Sequence, residues 1–203
     1  MVVQNRYWLN LGAEKAIFYQ IRKSSFKLLQ MISPKIEKAL NQQVLLEAES
    51  SQIYLAMASW AEVGGLSGIA EFLFTHSNEE RLHMLKLLKF INERGGHGIV
   101  PTLKAPPLKY KGIKELFAEV LSHEVHVSAE INKLVDSCLK EKDYTTHNFL
   151  QWYVSEQIEE EALARKIMDK LKLIGDDKAG MYIFDRDIAS LAGGGTAKGK
   201  GAE

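Results

Sequence analysis

Between Gly95 and Lys111 the chain carries Pro101, Pro106 and Pro107 and cannot be helical throughout. On both sides of this stretch apolar residues recur at helical spacing, over roughly 28 residues each. A structureless connection of such length is uncommon in a compact domain and has to serve a geometric purpose. A helix of about 28 residues is about 42 Å long. An extended connection of about 17 residues reaches roughly 55 Å. The connection can therefore run back along the whole bundle and start the next helix parallel to the previous one. The expected fold is all-α: a four-helix bundle with one long crossover between the second and third helices.

The helix signals fit this frame. Ser33-Pro34 opens the first helix, with Ser as N-cap, Pro at the first position and Glu37 near the first turn. The helix should run to about Val63, ended by Gly64-Gly65. Its inward stripe reads Ile36, Leu40, Gln43 or Val44, Glu47, Ser50 or Ser51, Tyr54, Ala58. The second helix should cover Leu66 to Arg94, with Leu73, Ser77, Glu80, His83, Leu87 and Phe90 or Ile91 inward. The third is expected from Ile113 to Lys140, with Leu116, Val120, Glu124, Val127 and Ile131 inward. Asp143 is placed to cap the fourth, which ends before Gly175 and turns inward Phe149, Trp152 or Tyr153, Glu156 or Gln157, Glu160, Ala164, Ile167 and Leu171. Asp176 or Asp177 then caps a short fifth helix reaching Leu191.

Each long stripe is thus interrupted midway by an acid or an amide: Glu47, Glu80 with His83, Glu124, and Gln157 with Glu160. Burying one unpaired carboxylate costs several kcal/mol. Several converging carboxylates repel one another unless cations lie between them. Glu80 and His83 are three residues apart and share one helix face, so together they can grip one ion. Oxygen-rich ligation with a single imidazole suits iron or manganese. Were Glu80 to bridge two ions, Glu47 and His83 would complete one and Glu124 the other. Tyr54 stands two turns beyond Glu47 on the same face, either as a core tyrosine or as a redox-active phenol. Glu79, Glu156, Glu159 and Glu160 form a second acidic set, a candidate for a third cation or simply a wet charged face.

Composition narrows the function classes. Lys+Arg and Asp+Glu both total 26, so bulk electrostatics does not favour nucleic acid. No apolar stretch approaches the length of a membrane-spanning helix, so no membrane partner is expected. Cys138 is the sole cysteine and rules out an internal disulfide, which fits a reducing, cytoplasmic setting. Residues 1–30 carry Arg6, Lys15, Arg22, Lys23 and Lys27 against the acid Glu14. Without a clean apolar region they do not suit a secretory signal and are expected to be a loosely held extension, with Met31 an alternative start. Residues 31–191 are expected to form the bundle and residues 192–203 a Gly-rich flexible tail.

From Met31 to about Leu191 the chain resembles the bacterial non-haem ferritins. The resemblance rests on Leu46-Glu47 with Tyr54, on Asn78-Glu79-Glu80-Arg81-Leu82-His83-Met84, on His123-Glu124, and above all on the run Asn148 to Glu161. It implies a ferritin-like bundle assembled as a hollow homo-oligomeric shell of 24 subunits. It further implies oxidation of Fe²⁺ by O₂ or H₂O₂ at a dinuclear centre, with ferric mineral stored inside. By this resemblance Glu47, Glu80 and His83 hold the first iron, and Glu80 and Glu124 the second with Gln157 close by. Tyr54 matches the family's tyrosine near the centre. Glu79, Glu156, Glu159 and Glu160 match an additional iron site, and the fifth helix would line four-fold contacts. A haem-binding relative would carry a second Glu-x-x-His on the fourth helix and a Met after the first Glu. Here Gln157 to Glu160 and Arg81 stand in those places, so no haem is expected. Two other readings stay open: a diiron peroxidase or oxygenase working as a small oligomer, and a metal-free bundle serving as an assembly module.

Overall fold

The computed structural model describes residues 31–192. The extension at residues 1–30 and the tail at residues 193–203, both expected from sequence, lie outside the described residues. Five helices follow one another: α1 (Pro34–Val63), α2 (Ser67–Glu93), α3 (Ile113–Glu141), α4 (Tyr144–Ile174) and α5 (Lys178–Ala192). No strand occurs among the described residues.

Local chemistry sets most of the boundaries. Ser33 Oγ accepts from Ile36 N at 3.3 Å with Pro34 beside it, and α1 stops at Gly64-Gly65, where Gly65 has φ 76°. Asp143 accepts from Thr146 N and from the Thr146 hydroxyl, at 3.0 and 2.6 Å, and so caps α4. Asp177 accepts from Ala179 N and Gly180 N and caps α5. The start of α2 is different. Leu66 at its N-cap makes no side-chain cap bond. The carboxylate of Asp185, on α5, accepts instead from Ile69 N at 2.9 Å. α5 approaches so closely there that a β-carbon added to Gly68 would lie 1.7 Å from the Asp185 carbonyl oxygen.

The helix pairing reads directly from cross-helix contacts. Lys35 meets Glu141, and Tyr54 meets Glu124, so α1 and α3 are antiparallel. α1 and α2 are antiparallel as well. Ser51 and Ser77 clamp them together, each hydroxyl donating to the other's carbonyl at 2.8 Å. It follows that α2 and α3 run parallel, as the crossover argument required. The crossover begins beside the first turns of α1, where His97 N donates to Glu37 Oε1, Ile99 N donates to Asn41 Oδ1, and Asn41 Nδ2 donates to the His97 carbonyl. It ends beside the last turns of α1, where Tyr110 packs edge-on to Trp60 at 5.6 Å. About 19 residues of helix, roughly 29 Å, separate those two anchor points.

The interior is split in two. One apolar cluster is built on Tyr54, Met57, Ile69, Phe72, Phe117 and Ile167, and carries α5 through Phe184 and Ile188. The other is built on Ile36, Leu40, Leu87, Ile131, Leu150 and Tyr153. Between them, at the waist, lie the buried polar residues Glu47, Ser50, Ser51, His76, Ser77, Glu80, His83, Glu124 and Gln157. The two apolar ends supply the driving force for assembly. The waist is where that force has been given up.

Candidate metal centre

Each long helix contributes to the waist because its acid, or in α4 the amide of Gln157, occupies a position that the helical period turns inward. Glu47, Glu80 and Glu124 are 1, 4 and 2% exposed. Among the described residues none of the three pairs with a Lys or Arg; the imidazole of His83 lies beside Glu47 and Glu80. His83 Nδ1 lies 3.5 Å from Glu80 Oε2 and 3.8 Å from Glu47 Oε2. These three residues bring ligand atoms within 4.8 Å of one another, close enough to hold one ion.

Neighbouring groups fix where the ligand oxygens point. Gln43 Nε2 donates to Glu47 Oε1 at 2.8 Å, which leaves Oε2 turned towards His83. Tyr54 donates its hydroxyl to Glu124 Oε1, and Gln157 Nε2 donates to Glu124 Oε2 at 3.1 Å. Gln157 also reaches Ser128 Oγ at 3.3 Å, and Ser128 donates to Glu161 at 2.6 Å. On the far side, Tyr153 donates to the His83 carbonyl at 2.8 Å, and Trp152 stands edge-on to the His83 ring at 5.1 Å. Lys86 Nζ lies 3.3 Å over the Trp152 ring. Of the pair left open by the sequence, Tyr153 is thus the buried partner and Trp152 the more exposed one.

The titration behaviour follows from crowding acids away from water. Burial, then repulsion from Glu80, raises the Glu47 carboxyl well above its ordinary value. Burial and then Glu124 do the same to Glu80. Glu124 is pushed up to about 7, mainly by burial and against the hydrogen bonds from Tyr54 and Gln157. The Tyr54 phenol is raised by burial and by Glu124. His123, which contacts Ser50 Oγ through Nε2 at 2.6 Å, is lowered to about 4 by burial and then by His126. Such a set prefers either protons or cations between its carboxylates.

The other predicted residues distribute unevenly. A second cluster unites Glu79 and Glu160 with a residue the sequence reading passed over, His76. Glu156 is half-buried, its carboxyl raised by burial and lowered by nearby His83, and Glu159 is exposed. Neither belongs to either cluster of ligand atoms within 4.8 Å. His76 offered a signal all the same, because His76 and Glu79 repeat in reverse the three-residue spacing of Glu80 and His83.

Four long helices, a full-length crossover and a waist of inward carboxylates with imidazoles beside them define the class of helical-bundle carboxylate proteins. The comparisons narrow the class. Residues 37–174 match the family model described as a ferritin-like domain, and the chain belongs to the ferritin family. It is 43% identical over 162 residues to a bacterial non-heme ferritin of Campylobacter jejuni, covering 80% of this chain and 97% of that one. It is 42% identical over 162 residues to a probable bacterial non-heme ferritin-like protein of Haemophilus influenzae, covering 80% of this chain and 98% of that one. Among solved structures it superposes with a TM-score of 0.77 on an open-pore ferritin from Archaeoglobus fulgidus, at 40% identity over 79% of this chain and 98% of that one. The resemblance to bacterial non-haem ferritins holds along the bundle.

Proposed function

We propose that the protein is an iron-storage ferritin that oxidises Fe²⁺ at a dinuclear centre in the waist of each subunit. The observation that carries this reading is the burial of Glu47, Glu80 and Glu124 together, with His83 beside two of them and, among the described residues, no Lys or Arg paired to any. A bundle that needed only stability would fill those positions with apolar side chains. Ferrous iron is the substrate. Glu47, Glu80 and His83 hold one ion, and Glu80 with Glu124 holds the other beside Gln157. Two Fe²⁺ lose one electron each, and O₂ takes up both with two protons to give H₂O₂; with H₂O₂ as oxidant the same two electrons yield water.

The chain's own residues prepare this step. Gln43 fixes Glu47, while Tyr54 and Gln157 fix Glu124, so the carboxylates need little rearrangement when iron arrives. Carboxylates favour the higher charge of Fe³⁺, which biases the pair towards oxidation. The ferric product is stored inside a hollow shell of 24 copies. Leu173, Tyr182 and Ile183, exposed on α4 and α5, supply apolar surface for contacts between copies.

Stopped-flow absorbance after aerobic addition of two Fe²⁺ per chain, on protein sized by light scattering, tests the reading. A rapid ferric transient that saturates near two irons per chain is expected from a particle of roughly 24 chains. Glu80→Ala with His83→Ala should abolish the transient and leave the particle assembled. Wild-type oxidation rates in that double variant would refute the assignment.

A further inference from the structure

Ser128 stands one turn beyond Glu124 on α3, and Glu161 one turn beyond Gln157 on α4. Both are half-buried. With Arg165 they make an unbroken run of hydrogen bonds into the waist. Arg165 Nη1 donates to Glu161 Oε2 at 2.7 Å, and Ser128 Oγ donates to Glu161 Oε1 at 2.6 Å. Gln157 Nε2 donates to Ser128 Oγ at 3.3 Å and to Glu124 Oε2 at 3.1 Å. The Arg165 side chain is 54% exposed and Glu124 only 2%, so the run crosses from solvent to the buried acids.

The direction of every bond in the run is set from its outer end. A guanidinium only donates, and an ionised carboxylate only accepts. A serine hydroxyl has a single proton to give. Once Glu161 has taken it, Ser128 can offer Gln157 nothing but lone pairs. The amide must then turn its NH₂ group towards Ser128, and the same NH₂ group meets Glu124. The reverse orientation would set the amide oxygen against the Glu124 carboxylate and against the Ser128 lone pairs, with no proton between them.

We propose that Ser128 and Glu161 are positioning residues for the dinuclear centre: they fix the orientation of the Gln157 amide and, through it, the carboxylate of Glu124. The inference rests on the reading of the waist as a dinuclear iron centre. Tyr54 holds Glu124 Oε1 and Gln157 holds Oε2, so both oxygens are pinned only while the amide keeps this orientation. Neither Ser128 nor Glu161 belongs to a cluster of ligand atoms that could share an ion, so both act from behind the ligand. Groups that orient a metal ligand in this way change metal affinity by about tenfold or more when removed.

The test is an anaerobic titration of the full-length protein with Co²⁺, followed by visible absorbance. It reads the affinity of the ion whose binding Glu124→Ala removes, without redox chemistry. Ser128→Ala and Glu161→Leu should each weaken that ion by about tenfold. Ser128→Thr keeps the hydroxyl and should recover most of the loss. Ser128→Ala places a better helix former in α3, so the variant keeps its fold. Each substitution is then repeated together with Gln157→Ala. Residues that act through Gln157 change the affinity by less than about twofold in that background. An effect that persists there at full size, as loss of the Glu161 charge alone would produce, overturns the proposal. So does a Ser128→Ala variant that binds the ion as tightly as the wild type. Wild-type protein that binds no ion through Glu124 would sink the dinuclear reading, and this inference with it. With that ion present in the wild type, a negative result in the variants sinks this inference alone.

Discussion

Replacing Gly68 with alanine should loosen α5 from the bundle. The added β-carbon would lie 1.7 Å from the Asp185 carbonyl oxygen and 2.7 Å from its carbon, and both belong to backbone that no rotamer change can move. Something must shift by more than 1 Å. If the bundle absorbs the strain, the cost is the ordinary overpacking penalty of about 1–3 kcal/mol. If α5 lets go, the burial of Phe184 and Ile188 is lost, at about 1.5–3 kcal/mol each. The cap from Asp185 to Ile69 N goes with it, adding about 1 kcal/mol. Destabilisation should therefore fall between about 1 and 7 kcal/mol. Urea unfolding followed by circular dichroism gives the total, and hydrogen exchange at the Ile69 amide reports the cap directly. Gly112→Ala is the control, because its β-carbon would meet only the flexible end of Glu115 at 3.0 Å. It should cost well under about 1 kcal/mol. An unchanged urea midpoint with full protection of Ile69 in Gly68→Ala would refute the reasoning.

Further outcomes are expected elsewhere in the molecule. Tyr153→Phe removes the bond to the His83 carbonyl and should cost about 1 kcal/mol in unfolding experiments, with iron oxidation retained. Asn41→Ala unties the crossover from α1, so limited proteolysis should cut near residues 97–100 far faster than in the wild type. The pH dependence has a definite sign. Glu124 has a folded value of about 7 against 4.5 for an ordinary carboxyl, so its stabilising effect is complete below about pH 4.5 and disappears as pH rises through 7. Metal-free protein should lose about 3 kcal/mol from this group across that window, measured as a falling urea midpoint. Binding of Zn²⁺ near pH 6 should release protons, seen as a dependence of calorimetric enthalpy on buffer ionisation. An apoprotein whose stability rose over the same window would contradict this account.

What the sequence made legible was whatever is set by local chemistry or helical period. Ser33-Pro34, Asp143 and Gly175 carry their own boundary signals, and the structure places α1 and α4 where those residues put them. The crossover direction was legible too, since chain length and proline content leave few routes. The start of α2 was marked less sharply, because its capping carboxylate comes from Asp185, 116 residues from Ile69. The candidate site divides in the same way. Glu47, Glu80, His83 and Glu124 announce themselves as charges on apolar stripes. Glu156 and Gln157 were not separable by period alone, since adjacent residues sit only about 100° apart around a helix. The geometry turns Gln157 inward onto Glu124 and leaves Glu156 half-buried. His76 was passed over because an imidazole on an apolar stripe is chemically ambiguous until Glu160 is seen across from it.

The polar waist between two apolar clusters bears on the lifetime of the protein. An empty chain holds mutually repelling carboxylates at its centre, so part of any ion's binding free energy goes into relieving them. A ligand bound only by the folded state stabilises it by RT ln(1 + [L]/Kd), so stability climbs with the logarithm of free ligand once its concentration exceeds Kd. Chains made while iron is scarce are then the less stable population and the first to open to proteases. The abundance of the protein would follow its cargo through turnover alone, with no separate sensor.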